Sequence, residues 1–302
     1  MLDILKSIIY GIVEGITEWL PISSTGHLIL VERLIPFEGT SEGFFDMFDV
    51  VIQLGAILAV VLIFWRKIWP FYCKNNLKSK PGGIKKSASD LAVGGVAMSM
   101  DAFWMWVKIV VACIPAVVYG LVLDDAVSEV FAKPADGNGT PIQVYVVAVM
   151  LVVVGIAFLI IENQNKGRKP TVTDLTALTY KDALIIGLFQ LVAAALPGTS
   201  RSGATILGAI MIGISRTVAA EFTFFLGIPV MFGASLLKVV KFGFHFTGAE
   251  MAILLTGTVV SFLVSLVVVN FLMGYIKKHD FKVFGWYRIA LGLVVLLFGF
   301  LA

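Results

Sequence analysis

Charged side chains are scarce in this sequence: Asp, Glu, Lys and Arg make up 14% of its 302 residues, where soluble domains carry roughly 25%. Such a chain cannot clothe a water-exposed surface, and with 59% hydrophobic residues it reads as a polytopic membrane protein. Histidine and cysteine are scarcer still, at three and two. Cys73 and Cys113 have neither CxxC nor metal-type spacing, so they receive no chemical role. The net charge of +3 is too small to suggest a nucleic-acid partner. A cleavable leader is not expected either. Glu14 and Glu18 interrupt the first apolar run and no small-residue cleavage site follows, so the N-terminus reads as part of the mature protein. Alternating apolar strands are missing, which leaves helices as the spanning structure.

What is present centres on Glu14-Gly15-Ile16-Thr17-Glu18-Trp19-Leu20-Pro21-Ile22-Ser23-Ser24-Thr25-Gly26-His27. The carboxylates four residues apart share one helix face. Pro21 then breaks the run, and the hydroxyl cluster offers caps for a second helix. The expected pieces, 1–19 and 22–36, are each short for a bilayer core about 30 Å thick. They read as a hairpin that enters and leaves on one side, its break buried in protein or lining a cavity. A second such hairpin is expected at 183–213, broken at Pro197-Gly198-Thr199-Ser200-Arg201-Ser202-Gly203-Ala204-Thr205.

Between and after the hairpins lie apolar runs at about 46–65, 105–123, 142–161, 218–241, 250–274 and 286–302, each long enough to span. The stretch 88–104 suits an interfacial segment or an extension of the next helix. The loop after the first span holds Arg66, Lys67, Lys74, Lys78, Lys80, Lys85 and Lys86 with no acid, hence a cytoplasmic side. Lys166-Gly167-Arg168-Lys169 belongs to the same side, and Lys277, Lys278, Lys282 and Arg288 are read as marking another inside loop. Asp124, Asp125, Glu129 and Asp136 against Lys133 mark the outer side. Both termini then fall outside, the first hairpin opens outward and the second inward.

The hairpins are also alike in sequence. At an offset of 176 residues Leu20-Pro21 falls on Leu196-Pro197, Gly11 on Gly187, Glu14 on Gln190 and Ser24 on Ser200. The expected fold is therefore all-α: about six transmembrane helices plus two re-entrant hairpins in an inverted-topology repeat, within one membrane domain over 1–302. The first repeat is taken as about 1–123 with its hairpin at 1–36, the second as about 183–302. Broken helices meeting near the midplane of inverted repeats build ligand sites in transporters.

Each polar motif has a structural and a chemical reading. Gly198 to Thr205 opens a helix with glycine and hydroxyls, a ready anion site, and Arg201 adds a planar fork suited to phosphate oxygens. The structural alternative is a capped helix with a snorkelling arginine, but a charge at the tip of a membrane hairpin is costly unless paired. Glu14 and Glu18 suit a hard divalent cation, or else solvated acids on an interfacial helix. Glu18, nearer the break, is the more central. His27 stands apart from His245 and His279, which lie in loop-like settings, and beside Ser23, Ser24 and Thr25 it suits general acid–base or covalent chemistry. Attack by Ser24, by His27 or by water all fit the residues. Arg216 and Glu221 are left as structural, paired with each other or marking the interface.

The Glu14-x-x-x-Glu18 pair with Leu-Pro-x-Ser-Ser-Thr-Gly-His27, together with Pro197-Gly-x-Ser-Arg201-Ser-x-x-Thr205, resembles the bacitracin-resistance family of undecaprenyl-diphosphate phosphatases. The resemblance covers nearly the whole chain, departing mainly at about 70–107. It implies a membrane hydrolase that converts undecaprenyl diphosphate to undecaprenyl phosphate, recycling the lipid carrier of peptidoglycan synthesis and conferring bacitracin resistance. It implies a divalent cation, magnesium or calcium, and an active site on the outer face of the bacterial plasma membrane. Carried onto this sequence, the implied site is Glu14, Glu18, Ser24, His27, Ser200, Arg201 and Thr205. Ser23, Thr25, Gly198 and Ser202 complete the expected substrate contacts. The expected partners are the lipid substrate and membrane lipid, with a homo-oligomer left open. The alternative class is an inverted-repeat carrier that flips a lipid phosphate or moves an anion. Against it stands the chemical lopsidedness of the repeat, with acids only in the first half and the arginine only in the second.

Overall fold

The computed structural model describes residues 2–73, 91–93, 96–132 and 142–301. Lys74, Lys78, Lys80, Lys85 and Lys86 of the basic loop, and Lys133 and Asp136 of the acidic one, lie outside the described residues.

Two short helices, α1 (Leu2–Thr17) and α2 (Ser24–Leu34), form the first hairpin. Next come α3 (Phe44–Val51) and α4 (Gln53–Ile68), nearly one continuous rod, with Ile52 between them still in right-handed helical geometry. The fold is all-α as expected, with one small sheet added after α4. Three three-residue strands, β1 (Phe71–Cys73), β2 (Leu91–Val93) and β3 (Val96–Met98), form an antiparallel sheet in the order β1-β3-β2. Phe71 and Leu91 both pair with Met98. The described residues of 88–104 thus divide between β2, β3 and the start of α5 (Met100–Val122), which begins earlier than 105 as an extension of that helix. A small α6 (Asp124–Ala132) leads to α7 (Ile142–Gln164). The second hairpin is α8 (Tyr180–Ala195) and α9 (Arg201–Met211), and α10 (Arg216–Phe242), α11 (Gly248–Tyr275) and α12 (Lys282–Leu301) follow. Among the described residues, six segments are long and apolar enough to cross a membrane.

Small residues decide which helices touch. A Cβ added at Gly11 would lie 2.6 Å from the carbonyl oxygen of Gly257, and one at Gly15 2.8 Å from that of Ser261, so α1 lies directly on α11. Gly187, on which Gly11 falls in the repeat, does the same for α8: its Cβ would sit 2.4 Å from the Ala112 carbonyl on α5. Each re-entrant helix thus leans on a spanning helix of the other half, as close backbone approach at small residues allows. Helix α7 packs along α12 through Gly155, Gly285 and Gly292.

At the basic end of the bundle, buried acids are neutralised by specific cations. Arg216 forms a double hydrogen-bonded ion pair with Glu162, which also accepts from the Phe281 N–H at 3.0 Å. Lys67 reaches Glu221 at 2.7 Å. Arg216 and Glu221 are therefore structural, but each has its own partner rather than the other. A buried charge with one partner removed is destabilising, which explains the pairing of each acid.

Candidate active site

The hairpin tips meet in the middle of the molecule. In the first, α1 stops at Thr17 because Pro21 cannot continue the helical bonding. Ser23 then turns the chain with φ 73° and caps α2, its Oγ accepting from the Gly26 N–H at 3.4 Å. In the second, Pro197 and Gly198 break the run. Ser200 turns the chain with φ 68° and accepts from the Gly203 N–H at 3.1 Å. Helix N-termini carry unpaired N–H groups and a partial positive charge, and here two of them face the interior.

Glu18 joins the tips. Its Oε1 accepts from Arg201 Nη2 at 2.8 Å and its Oε2 from Ser24 Oγ at 3.3 Å. Its backbone carbonyl accepts from Ser202 Oγ at 3.0 Å. Arg201 further donates Nη1 to the Thr223 carbonyl at 3.0 Å and lies 5.8 Å from the ring centre of Trp19. Its Nε–H has no partner among the described residues. Acid and base thus neutralise one another at the tip, the Nε–H of the fork is left over, and a hydroxyl lies on the carboxylate.

Glu14 lies one turn before Glu18. It is fully buried, and neither carboxylate oxygen has a hydrogen-bond partner among the described residues. A buried carboxylate without compensation costs several kcal/mol. Two orphaned hard oxygens beside Glu18 therefore fit a divalent cation. No group of three His, Cys, Asp or Glu that could hold a metal occurs among the described residues. The protein thus offers two carboxylates, and a magnesium-like ion characteristically completes such a shell with phosphate oxygens and water. Gln190, which falls on Glu14 in the repeat, is likewise buried with both amide atoms unpartnered among the described residues.

The other expected residues divide. His27 does not turn to Ser24. Its Nδ1 lies 2.7 Å from the Ser23 carbonyl and its Nε2 2.7 Å from the Tyr287 hydroxyl, with the two rings stacked 9° from parallel. A carbonyl only accepts, so Nδ1 carries the proton, and Nε2 of the neutral ring accepts from Tyr287. Thr205 donates to the Arg201 carbonyl at 2.8 Å and accepts from Thr223 Oγ1 at 2.9 Å. Ser202 is spent on the first hairpin. Gly198 meets α7 so closely that an added Cβ would lie 2.6 Å from Val147 Cα. These three hold the tips in place. Ser200 Oγ lies 3.2 Å from Ser202 Oγ, Ser23 is buried in its cap, and Thr25 is half-buried on the first turn of α2.

Sequence reasoning missed Arg288. It does not mark a loop: it lies within α12, fully buried between the tips. Its guanidinium donates to the carbonyls of Pro21 at 3.2 Å and of Gly198 and Thr199 at 2.9 Å each. Tyr287, its neighbour, was missed with it.

The family model described as Bacitracin resistance protein BacA matches residues 7–294. The chain belongs to the BacA family. Among curated relatives, an undecaprenyl-diphosphatase of Desulfitobacterium hafniense is 54% identical over 298 residues, covering 99% of this chain and 96% of that protein. One from Enterococcus faecalis is 52% identical over 98% of this chain and 97% of its own length. Undecaprenyl-diphosphatase 1 of Clostridium acetobutylicum is 51% identical, with the same shares covered. Membership in the BacA family embraces both hairpins and every residue of the tips.

Proposed function

We propose that this multi-pass membrane protein hydrolyses undecaprenyl diphosphate to undecaprenyl phosphate and inorganic phosphate, the activity its relatives are named for. The observation that carries the reading is the line Ser24–Glu18–Arg201, which sets a hydroxyl, a carboxylate and a guanidinium in one buried place. Loop charges assign the basic end to the cytoplasm, so the hairpin bearing Glu14 and Ser24 opens to the outside.

The diphosphate enters between the tips. Arg201 directs its unpartnered Nε–H, and the first turns of α2 and α9 their N–H groups, at phosphate oxygens. Ser24 is the nucleophile this geometry favours, because its hydroxyl already donates to Glu18 whereas both His27 nitrogens are engaged elsewhere. Ser24 Oγ attacks the terminal phosphorus, its proton passes to Glu18, and the bond to the bridging oxygen breaks, releasing the lipid monophosphate. Water then attacks the phosphoserine. One of its protons goes to Ser24 Oγ, the other stays on the departing phosphate, and the proton on Glu18 returns to solvent. A divalent cation, magnesium or calcium, held by Glu14 and Glu18 would neutralise phosphate charge and polarise the bond to phosphorus.

Phosphate release from undecaprenyl diphosphate by purified protein, with and without chelator, tests the reading. Full activity in folded Arg201→Ala or Glu18→Ala protein sinks it. Lipid-phosphate flux in proteoliposomes without hydrolysis would instead favour the carrier. Labelled terminal phosphate should be trapped on Ser24, and a label on His27 would refute the assigned nucleophile.

A further inference from the structure

The chemistry at the tips says nothing about where the long apolar tail of the substrate lies. Between α5 and α10, in the half of the bundle away from the basic end, runs an open groove of about 670 Å³ lined by apolar side chains. The cavities lined by Lys67 and Asp101, or by Arg168 and Arg216, carry charged side chains and lie at the basic end. This groove runs from Ala194 on α8, Ala116 on α5 and Val230 on α10, past Gly233, to Gly120 and Leu237.

Two features mark it. First, its inner end lies on the helix that backs Arg201. Ala194 lies three residues before the break at Pro197. Met231, next to Val230, sits 3.3 Å from Arg201 Nη2, and Gly227, one turn earlier on that face, backs the same guanidinium at 2.8 Å from its would-be Cβ. Ala234, three residues after Met231, continues this face into the groove. One helix therefore presents Arg201 on one flank and the groove on the next.

Second, two glycines in the groove are not used for packing. Gly11, Gly15, Gly55, Gly155 and Gly187 each touch a neighbouring backbone, but a Cβ at Gly120 or Gly233 would meet nothing within 4 Å. Neither has a positive φ. A helix-interior glycine weakens its helix, and here neither close packing nor a turn compensates. What the two glycines do is keep the groove open along its outer stretch.

We infer that this groove seats the polyprenyl tail of the substrate, with the isoprene units nearest the diphosphate at Ala194 and Val230 and later units running past Gly233 and Gly120. The inference rests on the hydrolase reading above. It makes Gly120 and Gly233 determinants of chain length, remote from the reacting atoms.

The test compares undecaprenyl diphosphate with geranyl diphosphate, whose tail is far shorter, on wild type, Gly120→Leu, Gly233→Leu and the double variant. The open space at both positions lets the new side chains fold into place. In the double variant KM for the long substrate should rise by roughly tenfold, the scale of a misfit in an apolar pocket, while kcat and both constants for the geranyl substrate stay unchanged. An unchanged KM for the long substrate would mean that ordinary bilayer lipid fills the groove, and would overturn the inference. So would equal losses on both substrates, which would mark structural damage. Wild-type protein that releases phosphate from neither substrate would overturn the hydrolase reading, and the tail assignment with it. A wild type active on both, with indifferent variants, removes the groove assignment alone.

Discussion

Ser23 and Ser200 adopt one unusual conformation at the two helix breaks. Their φ angles are 73° and 68°, in the left-handed region where side chains are rare, and each caps the helix that follows by accepting from the N–H three residues on. The turn strains the backbone and the cap repays part of the strain, so the two contributions are separable. Ser200→Gly loses the cap but relieves the strain, and should shift stability by only a few tenths of a kcal/mol. Ser200→Ala keeps the strain without the cap and should cost about 1 kcal/mol or more. Thermal unfolding in detergent gives the order, and equal shifts would contradict the account.

The paired serines also show where sequence comparison slips. The offset of 176 set Ser24 on Ser200, but the structure matches Ser23 with Ser200, an offset of 177, because the second turn has one residue more between its proline and its cap. Arg201 therefore occupies the place of Ser24, which is why guanidinium and hydroxyl approach Glu18 from opposite hairpins. The spans and hairpins were legible because runs of apolar residues and helix-breaking prolines act locally. The charge pattern found Glu14, Glu18 and Arg201, since ionised groups deep in apolar sequence need a partner. Arg288 was not legible. It follows Lys277, Lys278 and Lys282, and its partners are backbone carbonyls released only where the hairpins break. The small sheet of β1, β2 and β3 was missed because three-residue strands have no detectable period.

The buried pair of Glu18 and Arg201 should behave asymmetrically. Removing either partner alone leaves a buried charge and should cost about 3–5 kcal/mol of stability, with loss of phosphate release. The double variant Glu18→Ala/Arg201→Ala carries no such charge and should recover much of the stability but none of the activity. Unfolding and phosphate assays on the three proteins decide it. A double variant as unstable as the sum of the singles would show that the ion pair is not the coupling element.

The orphaned oxygens of Glu14 predict a cation requirement that mutation can tune. Chelator should abolish phosphate release and excess magnesium or calcium should restore it. Glu14→Gln keeps the shape but loses the charge, and should raise the cation concentration for half-maximal activity by on the order of 10–100-fold, the usual effect of weakening a metal shell. An unchanged cation titration would assign Glu14 another partner.

His27 is held between the Ser23 carbonyl and Tyr287, and on the reading proposed above it orients the tip. Tyr287→Phe deletes one neutral hydrogen bond, worth about 1 kcal/mol, and should lower kcat by about tenfold or less. Ser24→Ala should remove phosphate release together with the covalent label. Equal losses in the two variants would return His27 to the chemistry.

Arg288 gives the most demanding prediction, because it joins both tips at the place where the diphosphate is proposed to enter. Its three acceptors, the carbonyls of Pro21, Gly198 and Thr199, belong to different hairpins and lie where no helix bonds them. Arg288→Met would leave those carbonyls buried and unpaired, at about 1–3 kcal/mol each. Arg288→Lys keeps a charge but loses the planar fork that spans two hairpins, so it should rescue stability only in part. If the guanidinium fixes the distance between the tips, Arg288→Lys protein that is still folded should lose kcat while KM stays near that of wild type. Ser24 and Arg201 would then bind the substrate but meet it out of line. A rise in KM with kcat intact would instead place Arg288 in substrate binding.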